Sequence, residues 1–495
     1  MSPTLRLLVL SSLMVMPLAP GRADDAKPAA AKAAAPKPPW LLSPEERARL
    51  NKLIDEDHAD MMRQLGITKL RPGRNGNTAP GQTNQANYDE AKANPFPDWP
   101  DVLTCNDGTK ITTPELWWKK RRPEIFEDFE REVYGRIPDD VPGVKWSVGE
   151  TVNTKVGDHP VVARRLVGHV DNSGDLAITV NIRGALVLPA NATKPVPVLV
   201  MFSWGAMPDD PVPHFPGFPT PPGPSSEEQL IAAGWGYVSL NTTSIQADNG
   251  AGLTEGIIGL TNHGKRRTPE QWGSLRAWGW GAGRVLDYLE TLPEVDAKHV
   301  GIEGVSRYGK AALVTMAFNQ RFAFVLVGSS GKGGATALRR SYGEAVENLT
   351  SSYSYHWMAG NFMKYGEEEG THGTMNAGML PVDSHELIAL CAPRLTFISY
   401  GVPAKGDAHW LDHQGSFMAT VAAQPVFRLL GAHGLGVPDD YHTAKMPPPL
   451  SDLLDGELAW RQHTGGHEDR SNMTNFINWV DSKIGYHTPA VTDVN

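Results

Sequence analysis

The chain has 495 residues, 40 % in the broad hydrophobic set and 20 % charged, which supplies a sizeable core and excludes a disordered or fibrous protein. Its 46 basic residues against 55 acidic ones leave a formal net charge of −9, and no basic block is long enough to track nucleic-acid phosphates. Two cysteines, Cys105 and Cys391, exclude a disulfide scaffold and a four-cysteine zinc site, while a single bridge between them stays open. The 50 glycines and 40 prolines, about 18 % of the chain against ~12 % in average proteins, point to long ordered loops around a scaffold.

Residues 1–23 place Arg6 before an apolar stretch from Leu7 to Leu18 and close on Gly21, Arg22 and Ala23, the pattern of a secretory signal, so a secreted or periplasmic protein is expected. That stretch is too short to span a bilayer, and no later run approaches ~18 apolar residues. Residues 24–39, rich in Ala, Pro and Lys, read as a low-complexity tether. An N-terminal extension follows over 40–115. Ser43, Pro44 and Glu46 form a capping box with proline at the first helical position, so a helix runs from there to about residue 65. The polar stretch 71–95 is expected to be an ordered loop.

From 116 to 487 the chain reads as one α/β domain. Trp117 to Tyr134 has the pattern of an amphipathic helix, and strands are expected at Pro160–Val170, Leu176–Leu188 and Val196–Trp204, the last a near-continuous apolar run (VPVLVMFSW) suited to burial on both faces. Beyond it, strands at Trp235–Leu240, His299–Glu303, Phe322–Val327, Arg394–Tyr400 and Gly456–Arg461 alternate with helices at Gln271–Leu292, Tyr308–Phe318, Gln414–Leu430 and Ser471–Ile484. Such alternation implies a mostly parallel, doubly covered sheet, a three-layer α/β sandwich whose ligand site lies beyond the carboxyl ends of its strands.

The stretch HVGIEGVSRYGK (299–310) sets a serine between glycines at a strand-to-helix turn, as in the nucleophile elbow of the α/β-hydrolase fold. The spacing departs from G-x-S-x-G, because Tyr308 takes the second small position and Gly309 follows it. Ser306 is therefore the candidate nucleophile, with a helix N-cap as its plain alternative. A serine hydroxyl needs a base, and this fold orders its triad as Ser, acid, His. His467, in the loop after the last strand beside Gly465 and Gly466, is the chosen base; His463, at the strand end, is its rival. After Arg394–Tyr400 the loop GVPAKGDAHWLD offers two acids. Asp407 is chosen, and Asp412, which opens the next helix and suits an N-cap, is the alternative.

Gly304-Val305-Ser306-Arg307-Tyr308-Gly309-Lys310 resembles the G-[C/V]-S-R-x-G-K motif of glucuronoyl esterases, carbohydrate esterase family 15. Trp272 to Glu290 is similar to the helix before that family's elbow, and Gly343-Glu344, Glu347-Asn348 and Tyr355-His356-Trp357 resemble its bacterial members; the likeness runs from about Trp117 to near the C-terminus. It implies hydrolysis of esters between 4-O-methyl-glucuronic acid groups of xylan and lignin alcohols. It also implies Arg307 at the oxyanion, Lys310 and Glu344 as ligands of the sugar hydroxyls, and Trp410 as a wall of the sugar pocket. Three features depart from the family. Ser329 or Ser330 stands where fungal members carry a glutamate, Val305 replaces a cysteine that fungal members bond in a disulfide, and the loop MFSWGAMP differs from the bacterial pattern.

The substrate expected is a glucuronoxylan or lignin–carbohydrate ester, and the protein a monomer. His263, His356, His372 and His409 lack metal-ligand spacing, so no metal or other cofactor is expected. Two other readings are an acetyl xylan esterase or related carboxylesterase with the same triad, and a non-catalytic polysaccharide-binding protein.

Overall fold

A computed structural model describes residues 42–77, 79, 81–211 and 223–487. The segments expected to be a secretory leader and tether, together with most of the proline-rich loop Pro208 to Pro224, lie outside the described residues. Helix α1 (Pro44–Leu65) starts at its capping box. The Ser43 hydroxyl accepts from the Glu46 amide at 3.2 Å, and the Glu46 carboxylate accepts from the Ser43 amide at 2.7 Å, satisfying donors that a helix start otherwise leaves unpaired. Strand β1 (Ile67–Leu70) follows and pairs with the short β9 (Glu367–Gly370). The described residues of the stretch 71–95 form an ordered loop held by bonds to distant segments. Arg71 reaches Glu347 at 2.8 Å, and the Gly343 amide donates to the Asn87 carbonyl at 2.8 Å.

The helix expected over Trp117–Tyr134 is present, with α2 (Arg122–Phe129) between two π-helical turns, Trp117–Arg121 and Glu130–Tyr134. Strands β2 (Val144–Val156), β3 (His159–Val170) and β4 (Asn181–Pro189) form an antiparallel edge. Strands β5 (Val196–Ser203), β6 (Gly236–Asn241), β7 (Val295–Val305), β8 (Phe324–Gly328), β10 (Leu395–Tyr400) and β11 (Leu458–Gln462) run parallel. The sheet order is β11-β10-β8-β7-β5-β6-β4-β3-β2. Two differences from the sequence reading concern the edge. Strand β2, which pairs only with β3 and is largely exposed, is not among the expected strands, although Val144, Trp146 and Val148 alternate with polar residues as a strand's do. Strand β4 begins later than Leu176 because Asp175 closes a turn, accepting from the Ala177 amide, and Leu176 is left exposed.

The run over β5 divides by pleat. Val198, Val200 and Phe202 enter the core built with α4 (Ser274–Leu289), α5 (Arg307–Phe318) and α6 (His413–Leu429). Leu199 and Met201 enter the core built with α3 (Ser226–Ala232) and α7 (Arg470–Ile484). Each such side chain contributes about 1.5–3 kcal/mol by leaving water, and covering both faces fixes the strand's place near the sheet centre. Cys105 and Cys391 are both free and buried, so no bridge joins them; burial pushes the Cys391 thiol up to about 12. Among the described residues no helix is long and apolar enough to cross a membrane.

Candidate active site

Adjacent parallel strands bring four carboxyl ends into one row, with Val305 beside Gly328, Gly328 beside Ser399, and Tyr400 beside Gln462. Ser306 joins β7 to α5 with φ 63° and ψ −126°, a conformation that costs a non-glycine residue about 1–3 kcal/mol. Its amide donates to the Gly328 carbonyl at 2.9 Å and its carbonyl accepts from the Lys310 amide at 3.0 Å, holding the turn from both sides. The side chain makes no capping hydrogen bond, which disposes of the N-cap alternative. A Cβ on Gly304 would lie 2.3 Å from the Tyr308 carbonyl, and one on Gly309 would lie 2.4 Å from the Gly328 carbonyl. The second glycine is therefore required at 309, where the helix passes β8. Tyr308 turns away, packing its ring edge-on to Trp278 at 5.6 Å and accepting from the Thr242 hydroxyl at 3.0 Å.

Asp407, 2 % exposed, lies in the loop after β10. Its Oδ1 accepts from His467 Nδ1 at 2.7 Å and from the Ala408 amide at 3.1 Å. Its Oδ2 accepts from the Ser329 hydroxyl and the Gly401 amide, both at 2.9 Å, with His413 Nε2 at 3.3 Å. Burial works to raise this carboxyl, but the nearby imidazoles of His413 and His467 prevail and hold it well below the usual carboxylate range. Because Asp407 accepts from Nδ1, the lone pair of His467 is on Nε2. The two loops touch along their backbones: Val402 N donates to Gly465 O at 2.8 Å, and a Cβ on Gly401 would lie 2.0 Å from Gly466 O. His463 is buried and faces the other way, with Nε2 on the Glu468 carbonyl at 2.9 Å and Nδ1 accepting from the Gly465 amide. Asp412 caps α6 and takes a two-point contact from Arg340, at 2.9 and 3.0 Å.

Arg307 follows the serine and donates to Asp248 Oδ2 at 2.6 Å. Asp248 Oδ1 also accepts from His356 Nε2 at 3.0 Å and from the Trp357 indole at 2.7 Å. Burial opposes ionisation of Asp248, yet His356 and Arg307 hold its carboxyl far below the ordinary range. Sequence reading missed Asp248 altogether; its one signal is a place in the loop after β6, on the rim where α/β sheets collect ligand groups. Lys310 is buried and donates to the Ser330 and Lys332 carbonyls, each at 2.6 Å, with Glu344 Oε2 at 3.7 Å. Burial pushes the Lys310 ammonium down, opposed by Glu344. Glu344 accepts from the Lys332 amide at 3.1 Å, and its own amide donates to the Trp410 carbonyl at 2.9 Å. Lys310, Glu344 and Trp410 thus belong to one contiguous wall beside the elbow, and Gly76 of the extension backs it, since a Cβ there would touch the Trp410 ring at 3.6 Å.

The right-ordered parallel strands, the covering helices and the strained elbow define an α/β-hydrolase. A family model described as fungal glucuronyl esterase matches residues 223–431. A structure of a CE15 glucuronoyl esterase from Teredinibacter turnerae is 37 % identical with a TM-score of 0.77, covering 87 % of this chain and 100 % of that one. One of a glucuronoyl esterase from Solibacter usitatus is 30 % identical with a TM-score of 0.67, covering 80 % and 100 %. A 4-O-methyl-glucuronoyl methylesterase of Schizophyllum commune is 27 % identical over 79 % of this chain and 91 % of its own. The chain belongs to carbohydrate esterase family 15.

Proposed function

We propose that the protein is an exported serine esterase that cleaves esters of (4-O-methyl-)glucuronic acid, as found in lignin–carbohydrate linkages of xylan. The observation that carries this reading is the 2.7 Å pair of Asp407 and His467 on the same rim as the strained Ser306. The named activities of the relatives supply the acyl group, and the secretory pattern of residues 1–23 supports export.

In this reading Ser306 Oγ attacks the uronate carbonyl while His467 Nε2 takes its proton, and Asp407 stabilises the imidazolium that forms. The guanidinium of Arg307, held by Asp248, and amides of the first turn of α5, which a helix start leaves without intrahelical acceptors, stabilise the developing oxyanion. Collapse breaks the ester C–O bond, and the proton on His467 leaves with the alcohol. Water then attacks the acyl-enzyme by the same route, releasing the uronic acid and restoring Ser306. Lys310 spends two of its three N–H donors on carbonyls of its own chain, so one remains for Glu344 or a sugar hydroxyl. Trp410 offers an apolar face to the sugar ring.

Ser306→Ala tests the reading, with benzyl glucuronate assayed beside acetylated xylan. The expected outcome is a folded protein without turnover of the glucuronate ester. Retained hydrolysis by the variant, or a wild type active only on acetylated xylan, overturns it.

A further inference from the structure

Asp407 is shared by two imidazoles. His467 takes Oδ1 on the partly exposed side; His413, the first residue of α6, brings Nε2 to 3.3 Å from Oδ2 on the buried side. Its tautomer is set from behind. The Gln462 amide nitrogen faces the Gly401 carbonyl at 2.8 Å, and its second proton points at His413 Nδ1, 3.3 Å away. Nδ1 therefore accepts and the ring proton sits on Nε2, toward the carboxylate. Among the described residues Nε2 has no hydrogen-bond partner, and Asp407 Oδ2, 3.3 Å away, is the acceptor it faces. The Tyr400 ring packs against the imidazole at 4.7 Å.

We propose that His413 is a positioning residue for the triad. With the Ser329 hydroxyl and the Gly401 amide it occupies Oδ2, which stops the carboxylate from turning and presents Oδ1 to His467. This rests on the reading of Ser306, Asp407 and His467 as the triad. The helix start keeps His413 in place, since the neighbouring Asp412 is locked by Arg340 and lies 3.7 Å from Lys332 Nζ. The other titratable groups around the pair are His467, the Tyr400 phenol on β10, His409 on the acid loop, and His463 at the end of β11.

The test compares His413→Leu, which fills the space without a donor, with His413→Gln, which keeps one, and runs Asp407→Asn alongside. Steady-state constants on benzyl glucuronate are measured from about pH 5 to 9, together with melting temperature. His413→Leu is expected to lower kcat about tenfold, the cost of one charge-assisted hydrogen bond, with KM little changed. The acid limb of kcat/KM moves to higher pH, because a carboxylate short of one donor binds the His467 proton more tightly. His413→Gln recovers most of both. A lower melting temperature with wild-type kcat and acid limb would make His413 a packing residue only and overturn the proposal, provided Asp407→Asn is inactive. Asp407→Asn at wild-type activity removes the triad reading and this inference with it.

Discussion

Asp407 and Asp412 lie on one loop and are almost equally buried, 2 % and 1 % exposed, yet their surroundings are opposite. Asp412 meets a planar guanidinium at two points and caps a helix, a geometry that holds a carboxylate rigidly and leaves little for chemistry. Asp407 meets two imidazoles, a hydroxyl and two backbone amides. None of these carries a permanent full charge, so the carboxylate keeps the capacity to respond when His467 gains a proton. Burial alone does not distinguish the acid we propose for the triad from a structural one; the kind of donor does.

The largest effect that can break this contrast is on turnover. Asp407→Asn should fold and lose about 10⁴-fold in kcat, because the imidazole loses its tautomer control and its counter-charge; loss of a similar size in Asp412→Asn with Asp407→Asn near wild type would reverse the assignment. Asp412→Ala should instead cost about 3–5 kcal/mol of stability by leaving Arg340 and Lys332 without their buried counter-charge. A denaturant midpoint close to wild type at unchanged slope would contradict that. The smallest effect is a pH linkage. Asp407 titrates below its unfolded value, so its contribution is present above about pH 4 and is lost as pH falls through that value toward its folded one. The melting-temperature gap between wild type and Asp407→Asn should therefore narrow between about pH 5 and pH 3, and a constant gap would show that the ionisation is not linked to folding.

The parallel half of the sheet was legible because strands buried on both faces advertise themselves as apolar runs, and the helices between them begin and end close to where the residues place them. Ser306, Asp407 and His467, the triad we propose, could be picked out because the chain order of such a triad is a constraint that survives without coordinates. The partners that tune them could not. Asp248 meets Arg307 across 59 positions and His356 across 108, and an isolated aspartate in a loop has no periodicity to betray such a meeting. His413 was hidden for a related reason: its neighbour Asp412 drew notice as a possible acid, while its own role depends on Gln462, 49 residues on. Strand β2 carried a signal that was passed over: Val144, Trp146 and Val148 alternate with polar residues at the period of a strand.

The near-contact of Gly401 with the Gly466 carbonyl constrains how this scaffold can be recombined with relatives. The loops carrying the proposed acid and the proposed base fit only as a matched pair, so a chimera that imports either one alone meets a backbone collision unless position 401 stays glycine. The unit of exchange is the two loops together with that glycine, a cassette assembled from stretches that the chain keeps some sixty residues apart.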